Sequence, residues 1–195
     1  MIGGLVRGGR VHHVDDDAII SAERLSGYPG AGWQDADLIA DRIQDAFPGA
    51  RIIVGTRNHA DWVPSLYRQL VYEGETRKLD TLLSPGWKMP HLDLANVSQE
   101  ALERRYRSRF ESVLFLPFEK LIDDPSSYLR MLCDFMQVEA PPEVDLTPVN
   151  SRRSWDGVEA MRRLNHFRRT ELNQSPVVDA TRLVQILQRL IPRTR

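Results

Sequence analysis

Three short runs of apolar and β-branched residues limit the folds open to this chain more than any other feature. They are Ala18–Glu23, Arg51–Arg57 and Val113–Glu119. Each run is apolar along nearly its whole length, which is typical of strands buried on both faces of a parallel sheet. Helical patterns separate the runs, and strands that alternate with helices predict right-handed βαβ units. The sequence therefore predicts an α/β fold with a short parallel sheet flanked by helices.

The segments between and after these runs carry apolar residues at helical spacing. Asp124 is a suitable N-cap, and Pro125 suits the first position of the helix that follows it. The helix after the second run is expected to begin near Asp61, with Pro64 in its first turn. The predicted helical segments are residues 35–47, 61–74, 98–110, 124–138, 155–168 and 177–191.

The composition fits one globular domain over residues 1–195, with 42% apolar and 27% charged residues. No apolar run approaches the roughly 18 residues of a membrane span, and the first residues lack a signal-peptide core. We therefore expect a cytoplasmic protein without a membrane span. A net charge of −1 gives no support for nucleic-acid binding. Because Cys133 is the only cysteine, neither a disulfide nor a cysteine-based zinc site is expected, and no metal site is predicted.

Arg57 marks the carboxyl end of the second run, and ligands of α/β folds bind beyond such strand ends. Ser65 is expected in or near the first turn of the next helix, where backbone N–H groups lack partners and carry partial positive charge. An arginine facing that turn and a serine hydroxyl beside it predict a pocket for a phosphate or sulfate. The alternative is that Arg57 pairs with a nearby carboxylate such as Asp61 and that Ser65 only caps the helix.

The other two strand ends carry weaker candidates. Glu23 leaves the first run toward a ligand crevice, which suits a general base, although glutamates are also common at helix starts. Glu119 and Lys120 follow the third run. They either reach the crevice, cap the next helix or pair locally.

Positive charge is concentrated in the C-terminal part of the chain. Residues 150–195 hold ten arginines, no lysine and four acids. Such an excess belongs either to solvated helix faces or to a segment that helps to hold an anionic ligand. Arg152 and Arg153 follow a proline-rich loop in this part, where they either clamp an anion or are solvated.

Three segments, in chain order, resemble the sulfotransferase superfamily, and most closely its bacterial members related to carbohydrate sulfotransferases. They are "IISAERLSG", "RNHADWVPSLYRQ" and "VLFLPFEKLIDDPSSYLRMLCDFMQV". The second is similar to the family's 3'-phosphate-binding segment, in which an arginine ends a strand and a serine lies early in the next helix. The resemblance covers roughly residues 18–165. It implies a P-loop-NTPase-like three-layer fold.

The resemblance also implies a co-substrate, 3'-phosphoadenosine 5'-phosphosulfate, whose sulfuryl group passes to a hydroxyl or amine acceptor. Carried over by position, Arg57 and Ser65 hold its 3'-phosphate. Arg152 and Arg153 lie where the family often has a basic loop over the cofactor. Glu23 takes the place of the glutamate that serves as base in related heparan N-sulfotransferases. A saccharide or another small hydroxylated molecule is the acceptor that this family link implies.

One family feature is missing from the sequence. The 5'-phosphosulfate loop, a Lys-x-Gly-Thr-Thr-like turn after the family's first strand, should lie upstream of Ala18, and none of the 17 residues there spells it. We expect either an N-terminally truncated member without this strand and loop, or a degenerate one. Loss of the loop's positive charge implies a chain that is weak or inactive as an enzyme alone. The competing hypothesis is a non-catalytic α/β binding module with a vestigial nucleotide 3'-phosphate site.

Overall fold

The computed structural model describes residues 10–14, 17–84, 91–141, 144 and 154–191. The chain divides into two compact units. The first unit comprises Met1–Ile53 and Leu83–Leu114, and the second comprises Val54–Leu82 and Phe115–Arg195. The single domain expected over residues 1–195 stays a prediction.

Helices precede and follow each of the two later strands of the described chain, whereas the two earlier strands are consecutive. The strands are β1 (Arg10–Val14), β2 (Asp17–Ser21), β3 (Ile52–Thr56) and β4 (Val113–Pro117). The α-helices are α1 (Ala36–Ala46), α2 (His59–Glu73), α3 (Leu79–Leu83), α4 (Gln99–Arg107), α5 (Phe118–Asp123), α6 (Pro125–Met136), α7 (Trp155–Asn165) and α8 (Thr181–Leu190). Short 3₁₀ turns cover Glu23–Ser26, Pro29–Ala31 and Leu94–Val97.

The short parallel sheet consists of β3 and β4. The backbone N–H of Ile52 donates to the carbonyl of Ser112 at 2.9 Å, where the two strands begin. Parallel strands need a long crossover connection, and here that connection contains α2, α3 and α4. The predicted α/β class, with a short parallel sheet flanked by helices, is confirmed.

The first apolar run lies in a different sheet. β2 pairs with β1 in an antiparallel hairpin whose register places Arg10 opposite Ser21 and Val14 opposite Asp17. The expectation that Ala18–Glu23 is a buried strand of the parallel sheet was therefore wrong. An antiparallel pair needs only a two-residue connection, so the neighbouring segment in the sequence is the partner that is easiest to reach.

The ends of two helices show how local hydrogen bonds set helix boundaries. The Asp124 carboxylate accepts a hydrogen bond from the Ser127 backbone N–H at 3.0 Å, which confirms the predicted cap of α6. The last helix was expected from Val177 but begins at Thr181. The backbone N–H of Val177 donates to the carbonyl of His166 instead, which keeps this segment out of the helix.

The core of the second unit lies along one face of α2. Buried residues recur at helical spacing on this face, and α2 packs against α7. The buried side chains are Val63, Leu66, Tyr67, Leu70 and Val71 on α2, and Val158 and Met161 on α7.

A buried polar cluster joins the end of α2 to α7 and α8. The Asn165 amide donates to the carbonyls of Val71 at 2.7 Å and Glu75 at 3.0 Å. Its side-chain oxygen accepts from the Gln188 amide at 2.8 Å. Nearby, Arg162 donates to the carbonyl of Thr76 at 2.6 Å. These bonds fix the C-terminal end of α2, because its buried carbonyls find their partners on α7.

The first unit holds α1 and α4 together through charge as well as packing. Arg105, which is buried, donates to the Asp37 carboxylate at 3.2 Å. Arg109 forms a second pair, with Asp41 at 2.6 Å.

The described helices include none that is both long and apolar enough to cross a membrane. The same residues contain no group of three or more metal-ligating side chains.

Candidate functional site

Arg57 follows β3 directly, at the carboxyl end of the parallel sheet, as the sequence predicted. Its side chain is half-buried, and its guanidinium carbon lies 4.6 Å from the centre of the Phe118 ring. Phe118 comes directly after β4, so the ends of both strands contribute to this contact. The stacking uses the face of the guanidinium and leaves its N–H edges available to an anion.

Glu119 joins the ends of the two strands. Its carboxylate accepts a hydrogen bond from the backbone N–H of Asn58 at 2.8 Å. That bond, a second one from its own backbone N–H and the positive charge of Arg57 hold the pKa of Glu119 below its ordinary value. Glu119 is therefore an anion at neutral pH. This bond reaches across to the end of the other strand, and a role of Glu119 toward a ligand stays a prediction.

Asn58 begins α2. Its side-chain oxygen accepts from the backbone N–H of Ala60 at 2.9 Å, which makes it the N-cap. The helix therefore begins at His59, and the expectation that it begins near Asp61 with Pro64 in its first turn was wrong. Asparagine is among the strongest N-cap residues, so the sequence did contain the signal for the earlier start.

Ser65 lies in the second turn of α2, one turn later than expected. The core side of the helix carries Leu66 and Leu70. The spacing of 3.6 residues per turn places Ser65 on the opposite side, in line with Asn58 two turns earlier. Within the described residues the Ser65 hydroxyl forms no hydrogen bond, which leaves it available to a ligand.

The alternative explanation for these two residues is observed only in part among the described residues. Arg57 forms no ion pair there with Asp61, but its charge lowers the pKa of the nearby Glu119 carboxylate, and the cap of α2 is Asn58, not Ser65. Arg57 and the Ser65 hydroxyl thus have no hydrogen-bond partner among the described residues. Each is a group that donates to an oxyanion, and their joint role as a phosphate site stays a prediction.

Glu23 belongs to the first unit, whereas Arg57 and Ser65 belong to the second. It follows β2 and starts the 3₁₀ turn Glu23–Ser26, where its side chain is exposed. Its role as the catalytic base stays a prediction. Arg152 and Arg153 lie outside the described residues, so their contacts with a cofactor also stay a prediction.

Sequence reasoning missed a second stacked arginine on α2. The guanidinium of Arg68 lies 3.9 Å from the ring of Trp155, the first residue of α7. The same tryptophan stacks on Tyr67 with ring centres 6.4 Å apart. No local pattern signals this contact, because its partners lie far apart in the sequence.

The fold places this chain among α/β proteins that gather polar side chains at the carboxyl edge of a parallel sheet. A family model described as "Sulfotransferase family" matches residues 38–142, more than half of the chain, and the chain therefore belongs to that family. Its general chemistry is sulfuryl transfer. Comparison with curated proteins and with solved structures gave no match.

The matched segment contains β3, α2 and β4, and with them Arg57, Ser65 and Glu119. The superfamily inferred from the sequence is thereby confirmed at this level. The family model matches fewer residues than the resemblance described in the sequence analysis covers. Glu23, Arg152 and Arg153 lie outside the matched residues. Arg57 and Ser65 thus lie within the matched segment, and their role in binding a phosphate stays a prediction.

Proposed function

We propose that this chain binds 3'-phosphoadenosine 5'-phosphosulfate through Arg57 and Ser65 and passes its sulfuryl group to a hydroxyl or amine acceptor. The observation that carries the proposal is the cation at the strand end, which stacks on Phe118 and forms no hydrogen bond among the described residues. The N–H groups of Arg57 are therefore free to donate to an anionic ligand, although its charge also acts on the nearby Glu119 carboxylate. The Ser65 hydroxyl, also without a partner among the described residues, supplies the second bond that a phosphate oxygen accepts.

Arg57 and Ser65 would bind the 3'-phosphate, which takes no part in the reaction. Binding energy from such a remote group holds the reacting sulfur in place against the acceptor. The acceptor oxygen or nitrogen attacks sulfur and loses its proton to Glu23. The bond between sulfur and the bridging oxygen of the 5'-phosphate breaks, and adenosine 3',5'-bisphosphate leaves. Arg152 and Arg153 would stabilise the negative charge of this leaving group.

The acceptor that we favour is a small hydroxylated molecule, with a saccharide as the first to test. The support for this choice is the resemblance of the sequence to carbohydrate sulfotransferases. Sulfuryl transfer, like phosphoryl transfer, demands in-line placement and charge neutralisation and needs little covalent help from the protein.

A thermal unfolding titration with adenosine 3',5'-bisphosphate tests the binding half of this proposal. At a ligand concentration of about 100 times the dissociation constant, binding adds about 2.7 kcal/mol to the free energy of unfolding. We expect a rise of this size for the wild type and a much smaller one for Arg57→Ala. Arg130→Ala is the matched control, because it removes one arginine from an exposed position on α6.

Two results would contradict the proposal: no stabilisation of the wild type, or equal stabilisation of the wild type and Arg57→Ala. Turnover of the sulfuryl donor with a hydroxylated acceptor tests the catalytic half. Binding without turnover would instead identify a binding module with a retained nucleotide site.

A further inference from the structure

Arg68, on α2, is a second half-buried arginine that stacks on an aromatic ring, as Arg57 does at the end of β3. It is half-buried and stacked on Trp155, a residue that is itself 49% exposed. Stacking fixes the plane of the guanidinium and restricts its rotamers without using its N–H groups. The side chain is thus held in one orientation with its hydrogen-bond donors unused.

Most shielded arginines of the described chain have hydrogen-bond partners, whereas Arg57 and Arg68 have none there. The Nε atom of Arg68 is buried and has no hydrogen-bond partner among the described residues; the same holds for the Nε atom of Arg168, whose Nη1 atom does have partners, the carbonyl of Tyr72 and the side chain of Gln188. A buried donor without a partner costs about 1–3 kcal/mol, so such an atom calls for a ligand or another explanation. The buried or half-buried arginines that do have partners are Arg77, Arg105, Arg109, Arg162 and Arg168.

Arg68 is also the cation of α2 that lies nearest to Ser65 along the helix. Residues three apart on a helix are neighbours, with Cβ atoms about 5–6 Å apart. Asn58, the residue after Arg57, lies roughly 10 Å from Ser65 along the helix axis, at about 1.5 Å per residue. An oxyanion bound to the Ser65 hydroxyl therefore lies within reach of Arg68, while Arg57 must extend toward it from the strand end.

The charges near this face call for more than one arginine. Glu119 is ionised beside Arg57, and Asp61 lies in the first turn of α2, one turn before Ser65. Both carboxylates repel a phosphate, which carries close to two negative charges at neutral pH. Arg57 at the strand end provides one compensating positive charge, and Arg68 on α2 provides another.

We propose that Arg68, oriented by its stacking on Trp155, donates hydrogen bonds to the nucleotide 3'-phosphate together with Ser65. This inference rests on the proposed function, because it names a further residue for the same nucleotide. The phosphate would then be held from the strand end by Arg57 and along the helix by Ser65 and Arg68. Trp155 acts as a positioning residue in this arrangement.

Comparison of two nucleotides isolates the contribution of Arg68. Adenosine 3',5'-bisphosphate carries the 3'-phosphate, and adenosine 5'-monophosphate lacks it. We expect Arg68→Met to weaken binding of the bisphosphate about tenfold to a hundredfold, the range for hydrogen bonds to a charged group, and to leave binding of the monophosphate unchanged. Methionine keeps a long apolar side chain over Trp155, which limits the loss of packing.

Three further measurements make the outcome decisive. Arg68→Lys, which keeps the charge but loses the planar fork, should weaken bisphosphate binding by less than Arg68→Met. Arg130→Ala should change neither affinity, and circular dichroism should show that each variant is folded. Equal losses for both nucleotides, or no loss for the bisphosphate, would overturn the role of Arg68. If Arg57→Ala still weakens bisphosphate binding in that case, the proposed function stands; if the wild type binds neither nucleotide, both proposals fail.

Discussion

Replacement of Asn165 by leucine tests the polar cluster that fixes the end of α2. Asn165 is fully buried, and its amide group makes three hydrogen bonds, to the carbonyls of Val71 and Glu75 and from the amide of Gln188. Each bond contributes about 1 kcal/mol net, and the buried partners left unpaired add a further penalty. We expect Asn165→Leu to lower the free energy of unfolding by about 3–4 kcal/mol.

Urea unfolding followed by circular dichroism measures this loss, with the slope m used to check that the transition stays two-state. Gln188→Ala removes one of the three bonds and should cost about 1–2 kcal/mol. Gln174→Leu, at an exposed position, is the matched control and should lie within about 0.5 kcal/mol of the wild type. A loss below about 1 kcal/mol for Asn165→Leu, at unchanged m, would refute the idea that these bonds hold α2 against α7.

Two further predictions concern carboxylates of the second unit. Glu119→Gln should tighten binding of adenosine 3',5'-bisphosphate, because the amide oxygen still accepts from the Asn58 N–H while the charge that repels the phosphate is gone; weaker binding in a calorimetric titration would count against this placement of the phosphate. Hydrogen bonds from Arg162 and Arg163 lower the pKa of Glu159 from 4.5 to about 2, so its contribution to stability is present above pH 4.5 and is lost as the pH falls toward 2. Glu159→Gln should therefore lower the free energy of unfolding by about 1 kcal/mol at pH 7, a value reduced for solvent screening of a partly exposed ion pair. The difference in this free energy between wild type and variant should shrink in unfolding curves recorded at successively lower pH. A difference that stays constant with pH would contradict the assignment.

Local signals made part of the fold predictable from the sequence. β3 and β4 are largely apolar runs separated by helical patterns, so both their existence and their parallel pairing followed from the sequence. The cap of α6 was predictable because Asp124 and Pro125 act within one turn of the chain. Arg57 was found at a strand end for the same reason, since its position depends only on where β3 ends.

Features that depend on distant partners were missed. The apolar residues of β2 identified it as a strand but did not reveal its partner. β2 pairs with β1 in a hairpin and not with the strands of the parallel sheet, as had been expected. Ser65 was placed one turn too early because the cap at Asn58 was overlooked. The contact of Arg68 with Trp155 joins two helices that are remote in sequence, and no periodicity encodes which arginine finds an aromatic partner.

Phosphorus NMR of bound adenosine 3',5'-bisphosphate is the most direct test of the central claim, that Arg57 and Ser65 hold a nucleotide 3'-phosphate. The 3'- and 5'-phosphates of this ligand give separate signals, so each can be followed as the protein is titrated. We expect the 3'-phosphate signal to shift on binding to the wild type, and we expect this shift to be lost or strongly reduced in Arg57→Ala and in Ser65→Ala. An unchanged 3'-phosphate signal in the presence of bound wild-type protein, or the same shift in all three proteins, would contradict this claim.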